Sequence, residues 1–276
     1  MHCSQVSSSV DLLGQRNRRP AWASFRASPS ACGAGNRVVR RCVTPESALP
    51  EPTSGNLGVP TTLPSLPALV EQAERLIELG AHKIGGFTPA QLREIVGRAH
   101  IDRGLLVMHP GRASASKIAS VVERDGKRGF VVTDMRDADN FGPIEPVALP
   151  AGPVYVTVNL DRGYHMANWS PDEALPAILA GGRTPLTLGE GMHWLLQQPE
   201  VLERNHCFMT IGSRLRKSDG SLDARAPALW ISNGTGRDGP ENRDAPKVGW
   251  CWAGNRHTWL GFASAANRVP LPAIRP

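Results

Sequence analysis

Trp250, Trp252 and Trp259 crowd into the stretch Ala245–Gly261 (APKVGWCWAGNRHTWLG), and three indoles so close together leave it few ways to exist in water. Side chains of this size dominate whatever core they enter. Alternation places Val248, Trp250 and Trp252 on one face of a strand, with Gly249, Cys251 and Ala253 on the other. Gly254-Asn255 then suits positive φ and a tight hairpin. A two-residue loop sets Trp252 against His257 and Trp250 against Trp259 on one side, with Cys251 against Thr258 on the other. A three-residue loop would instead oppose Cys251 and His257, because a one-residue slip exchanges faces. The two-residue register keeps the aromatics together and is the expectation. On it, Trp250, Trp252, His257 and Trp259 are structural ballast or, where exposed, candidate binding residues.

A net charge of +6 invites a nucleic-acid reading, but its distribution does not support one. Residues 1–60 carry seven arginines (Arg16, Arg18, Arg19, Arg26, Arg37, Arg40, Arg41) against Asp11, Glu46 and Glu51, leaving the remainder nearly neutral. That segment is rich in Ser, Pro and Gly without sustained periodicity, and reads as a disordered basic tail, with residues 61–276 forming a single globular domain. Its Ser/Arg-rich, acid-poor composition superficially matches a transit peptide. It lacks the apolar run of a secretory signal, and no stretch is long enough to span a membrane. Cys3, Cys32 and Cys42 lie in the tail. Cys207 and Cys251 alone remain in the domain, which is no disulfide framework and fits a reducing cytoplasm.

Order begins near Leu66. Leu66, Leu69, Ala73, Leu76 and Ile77 form one helical stripe, stopped by Gly80. Thr88-Pro89 with Gln91 is a capping box opening a second helix that buries Leu92, Ile95, Val96 and Ala99. The pair has the outline of a helix-turn-helix, but Arg93 and Arg98 make a poor recognition surface and simple packing is preferred. Next, Gly104–Pro110 and Gly129–Asp134 are apolar runs separated by helical spacing over Ser116–Arg124 and a turn at Arg124–Lys127, which predicts a βαβ unit. Val154–Asn159 adds a further strand. Ligands collect beyond the carboxyl ends of parallel strands. His109, Asp134 and Asp161 sit at those ends with His165 close behind, so these four are the catalytic candidates, His as general base and Asp as its orienter. Polar residues there are also common turn-formers.

Capping boxes recur at Ser170–Glu173 and Thr187–Glu190. The second opens a helix with the core stripe Leu188, Met192, Leu195 and Leu196, leaving His193 on the other face, solvated or hydrogen-bonded. Pro176 should shorten the first helix and Pro199 end the second. Cys207–Gly212 and Ala228–Ser232 are strands preceding the tryptophan stretch. The fold class expected is therefore α+β: a helical N-terminal part and a βαβ unit, with a C-terminal antiparallel, Trp-rich sheet.

Other motifs fail on context. Gly234–Gly239 (GTGRDG) follows a strand like a dinucleotide fingerprint, but Pro240–Pro246 is loop chemistry where a helix must open. A metal site from His206-Cys207 with Cys251 and His257 requires the three-residue register, and free Cys is usually a small buried hydrophobe. His206 and Cys207, as strand neighbours, point to opposite faces and make a poor catalytic pair. Asp134, Asp137 and Asp139 lack calcium-loop spacing. No metal and no cofactor is expected.

The runs LDRGYHMANWSPDEALPAIL, RTPLTLGEGMHWLLQQPEVLERN, CFMTIGSRLRK, PALWIS and APKVGWCWAGNRHTWLGFAS resemble the domain of unknown function 5701 family of actinobacterial proteins. The likeness covers roughly Leu66 to Ala266, outside the tail. It implies a soluble bacterial protein in one continuous unit and brings no activity, substrate or catalytic residue. The functional expectation is a non-catalytic binding or interaction module whose aromatic surface engages an unknown protein or small ligand. The alternative is a small-molecule enzyme using the strand-end Asp and His residues. Nucleic-acid binding through the Arg-rich tail ranks last, and no membrane partner is expected.

Overall fold

The computed structural model describes residues 61–101 and 103–272, and the readings made for residues 1–60 lie outside the described residues. Three helices open this part: α1 (Leu69–Glu78), α2 (Ala81–Ile84) and α3 (Pro89–Gly97). α1 buries Leu69, Ala73 and Leu76, and Gly80 follows in the left-handed region at φ 72°. α3 starts as its residues dictate: Thr88 Oγ1 accepts the Gln91 N–H, the Gln91 side chain returns to Thr88 N–H, and Pro89 takes the first helical position. Arg93 on α3 forks onto Glu74 of α1 at 2.6 and 2.7 Å, so the basic residue that a DNA-reading helix would present is engaged in helix packing.

β1 (Leu105–Met108) leads into the short helix α4 (Ala115–Ala119). Residues 123–124 and 127–128 then form a hairpin around Asp125-Gly126, both at positive φ. β2 (Phe130–Val131) and β3 (Val154–Val158) follow. The βαβ expectation is corrected here. β1 pairs antiparallel with β3, while β2 joins a different sheet, at its edge. The apolar run marked β1 correctly as buried throughout, but such a run identifies a strand without naming its partner. Two half-buried residues of β2 could not compete with the buried run of β3 for its ladder.

α5 (Pro171–Ala180) and α6 (Leu188–Gln197) both begin with the predicted capping boxes. Pro176 lies within α5 without ending it, whereas α6 does stop ahead of Pro199. The strands that complete the two principal sheets are β4 (Cys207–Met209), β5 (Arg225–Ile231), β6 (Pro246–Trp252), β7 (Leu260–Phe262) and β8 (Asn267–Pro270).

They build two principal sheets. One runs β1-β3-β8, antiparallel throughout. The other runs β7-β4-β5-β6-β2, antiparallel at its centre and parallel at both edges. The result is α+β, with the C-terminal sheet largely antiparallel. α6 lies between the sheets' apolar faces: Met108 of β1 bonds to His193 of this helix, and Gly191 lies so close to Leu229 and Phe208 that a Cβ there would meet them at 2.8 and 3.4 Å. One turn of 3-10 helix (Gly236–Asp238) precedes Gly239 and a second (Pro240–Asn242) follows it, where an α-helix would have to open, so the GTGRDG stretch does not carry the dinucleotide geometry.

The tryptophan hairpin is the second correction. β6 pairs with β5 and β2, and β7 pairs with β4, so Trp250 and Trp259 are not ladder partners. Register places Arg225, Pro227, Leu229, Val248, Trp250 and Trp252 on one face, and Ala226, Ala228, Trp230, Lys247, Gly249 and Cys251 on the other. Trp250 packs edge-on against Trp252 at 4.5 Å between centroids, whereas Trp259 packs against Trp230 at 6.1 Å. The indoles therefore divide between the two faces. Gly254 and Asn255 turn the chain without zipping it, because the segment up to Thr258 is used to reach α5 instead of returning along β6.

Candidate binding surface

Each of the four strand-end candidates has a definite place. His109 follows Met108, whose partner is Val154 at the start of β3, while Asp161 lies beyond the far end of β3. An antiparallel ladder thus sets those two at opposite ends of one sheet. The His109 ring accepts the Gly111 N–H at 3.1 Å and meets the edge of Tyr155. Asp134 stands 3.2 Å from Arg237, beside the other sheet. Asp161 accepts the Gly163 N–H at 2.7 Å, and its second oxygen lies 4.0 Å from the His165 ring, both groups open to water. Only Asp161 and His165 come together; His109 and Asp134 are engaged elsewhere, and the four-residue constellation does not form.

For the two described thiols burial outweighs the nearby cations. Burial pushes Cys207 and Cys251 each up to about 12, against an ordinary value near 9. Cys251 and His257 are not opposed across a ladder, since β6 pairs with β5 and β2. Among the described residues no three His, Cys, Asp or Glu side chains gather closely enough to hold a metal ion.

Inside the molecule one polar cluster, around Glu190, is internally matched. Glu190, fully buried on α6, takes Arg268 of β8 in a fork at 2.6 and 2.8 Å. Tyr155 and Thr157 donate hydroxyls to it at 3.1 Å, and the Thr187 N–H completes the cap at 2.7 Å. Burial, with the Glu190 charge adding, holds the Tyr155 phenol well above its ordinary value. His193, read as facing outward, is instead buried: Nδ1–H donates to the Gly189 carbonyl at 2.7 Å and Nε2 accepts the Met108 N–H at 3.2 Å. Glu190, Arg268, Tyr155, Thr157 and His193 thus satisfy one another or the backbone, whereas the buried atoms Ser114 Oγ, Gln197 Oε1, His206 Nδ1 and Thr210 Oγ1 have no partner among the described residues.

Chemistry left over for a ligand lies on the surface, around residues 253–258. Two backbone bonds dock this loop onto the start of α5: Asp172 N–H to the Ala253 carbonyl at 3.1 Å, and Asn168 N–H to the His257 carbonyl at 2.9 Å. Between them opens a cleft of about 390 Å³ lined by Ala167, Asn168, Trp169, Glu173 and Arg256. Trp169 is 41% exposed, and Trp252, at the head of the loop, 48%. Arg256 pairs with Glu173, whose carboxyl is already held below its usual range by the Ser170 N–H, with Arg256 adding to the effect. His257 packs at a tilt against Trp259, 5.5 Å between centroids, and its partial burial lowers its affinity for a proton. Trp250 is half-buried and flanked by the Arg225 guanidinium at 6.0 Å. Arg225 is in turn neutralised by Asp137 and Asp223.

Of the aromatic candidates, then, Trp252 is open to water and Trp250, His257 and Trp259 are partly covered; Trp169, which the sequence does not mark as a binding residue, is exposed as well. The only sequence signal for Trp169 was its position just ahead of the Ser170 capping box, the place where a chain entering a helix is held rigid.

Fold and geometry together define a class: mixed α+β proteins with an internally neutralised polar centre and exposed indoles flanking one docked loop. The chain belongs to the Family of unknown function (DUF5701), whose family model matches residues 75–271, well over half its length. No curated protein and no solved structure matches it.

Proposed function

We propose that the chain is a non-catalytic binding module whose ligand seats in the cleft between the 253–258 loop and the start of α5. The observation that carries this reading is Trp169, a large indole 41% exposed in a cleft whose polar side chains are Asn168, Glu173 and Arg256. Exposing so much apolar surface beside oriented polar groups is what recognition sites do, and Trp and Arg are the residues that most often anchor them. The cleft's volume lies in the lower part of the range of small-molecule sites, roughly 300–1,000 Å³.

No described helix is long and apolar enough to cross a membrane. Among the described residues the two cysteines are unpaired, which supports a reducing compartment, and we assign the protein to the cytoplasm on that ground. The alternative, a small-molecule enzyme, retains only the Asp161–His165 pair, a 4.0 Å contact on the open surface.

The test is a fragment screen followed by NMR of the indole N–H groups, with Trp169 assigned through Trp169→Phe. Hits that shift the Trp169 signal and lose their effect in Arg256→Ala support the reading. A screen in which hits perturb Asp161 and His165 while Trp169 stays still would transfer the site to the alternative.

A further inference from the structure

We infer that the cleft is built for a neutral saccharide, an inference that rests on the binding reading above. Arg256 and Glu173 neutralise one another, so the lining carries no net charge. An anionic ligand such as a nucleotide would have to compete with the Glu173 carboxylate for the guanidinium. A cationic ligand would have to compete with Arg256, and with the Ser170 N–H and hydroxyl, both of which donate to Glu173. Neither class finds an unmatched charge.

Hydrogen-bonding capacity is nevertheless plentiful. Among the described residues, the Asn168 side-chain amide and the Trp169 indole N–H have no partner. Arg256 uses one terminal nitrogen on Glu173 and keeps further N–H donors for a ligand. The amide offers both donor and acceptor, the guanidinium a planar fork, and the carboxylate spare lone pairs. That mixture matches vicinal hydroxyl groups, each of which donates and accepts at once. The open indole supplies the remaining element, a flat apolar surface on which the C–H face of a pyranose ring lies.

The frame is rigid. Asn168 sits at φ 67°, a left-handed conformation that asparagine tolerates better than most side chains, with its N–H tied to the His257 carbonyl. The Trp169 N–H is tied to Met166 at 3.0 Å, and Ser170 caps α5 immediately afterwards. Amide and indole are thus presented on fixed backbone, which limits the ordering cost of binding. The cleft is also too open and too polar to bury an acyl chain.

The experiment uses the full chain and follows the Trp169 indole N–H by NMR on titration with maltotriose, cellotriose and N,N′-diacetylchitobiose, with ATP and a neutral tripeptide as further probes. The expected result is a saturable shift with at least one saccharide. Trp169→Ala should weaken it by about tenfold or more when followed by calorimetry, Trp169→Phe much less, and Arg256→Gln by an intermediate factor. Because Trp169 and Arg256 are exposed, near-native unfolding midpoints for these variants would separate lost binding from lost fold. Shifts at Trp169 with ATP or the tripeptide but with none of the saccharides would overturn the saccharide assignment and leave the binding reading standing. An indole signal unmoved by every probe and by every fragment of the screen would overturn both.

Discussion

His193 illustrates how far burial changes the meaning of a side chain. Helical spacing puts it off the apolar stripe of α6, and nothing in the local sequence says that a second sheet covers that side as well. Burial drives its pKa down to about 4 from an ordinary 6.5. The unfolded chain therefore takes up a proton as pH falls below about 6.5 while the folded chain does not, so the contribution is complete above that value and lost on descending towards 4. Between pH 7.5 and 5.5 this group alone should remove about 1.4 kcal/mol of stability. His206 and His257, also lowered by burial, act in the same direction. Urea unfolding at the two pH values measures the slope, and His193→Gln should flatten it markedly. Gly163 makes a second test at this scale. Its φ is 67°, and a Cβ there would lie 2.0 Å from the Phe262 carbonyl oxygen. Gly163→Ala should cost more than about 4 kcal/mol, at the extreme of single substitutions, and show as a collapsed denaturation midpoint. Neither that glycine's role nor that of Trp169 was legible, because each depends on a neighbour far along the chain: Phe262 for one, Arg256 for the other.

At the level of elements, what is local was readable and what is long-range was not. Thr88, Ser170 and Thr187 each announce a helix by chemistry completed within four residues, and all three capping boxes form. Glu190 marks the limit of such reading. One of its oxygens closes the cap on Thr187, as spacing implies, but the same carboxylate also receives Arg268, Tyr155 and Thr157. Spacing gives no hint that a strand 78 residues later delivers the countercharge. Removing one partner leaves the other charged and out of water, which typically costs about 3–5 kcal/mol. Glu190→Gln and Arg268→Met should each destabilise by that order in urea titrations. The double variant should cost clearly less than their sum, since no stranded charge remains.

For the whole molecule, composition and periodicity were enough for α+β but not for topology. β1 and β2 read alike in sequence and belong to different sheets, and the tryptophan stretch serves two faces rather than one. Pairing over long separations depends on which buried runs find each other, which windows of a dozen residues do not encode. Both sheets and α6 nevertheless share one contiguous apolar cluster, from Leu69 through Tyr155 and Trp194 to Phe262. Helical and tryptophan signals should consequently vanish together: far-ultraviolet dichroism and indole fluorescence should give coincident melting curves. Transitions separated by more than experimental error would mean that the two sheets melt independently.

The matched pair of Glu190 and Arg268 also bears on how the chain is made. A ribosome releases α6 long before it releases β8, so for that interval the nascent helix carries an acid with no base to meet it. The helix must wait in a wet, unsealed state, and the interior can dry only once Arg268 has emerged. The last strand of the β1-β3-β8 sheet thus brings the countercharge with which the interior around Glu190 can close.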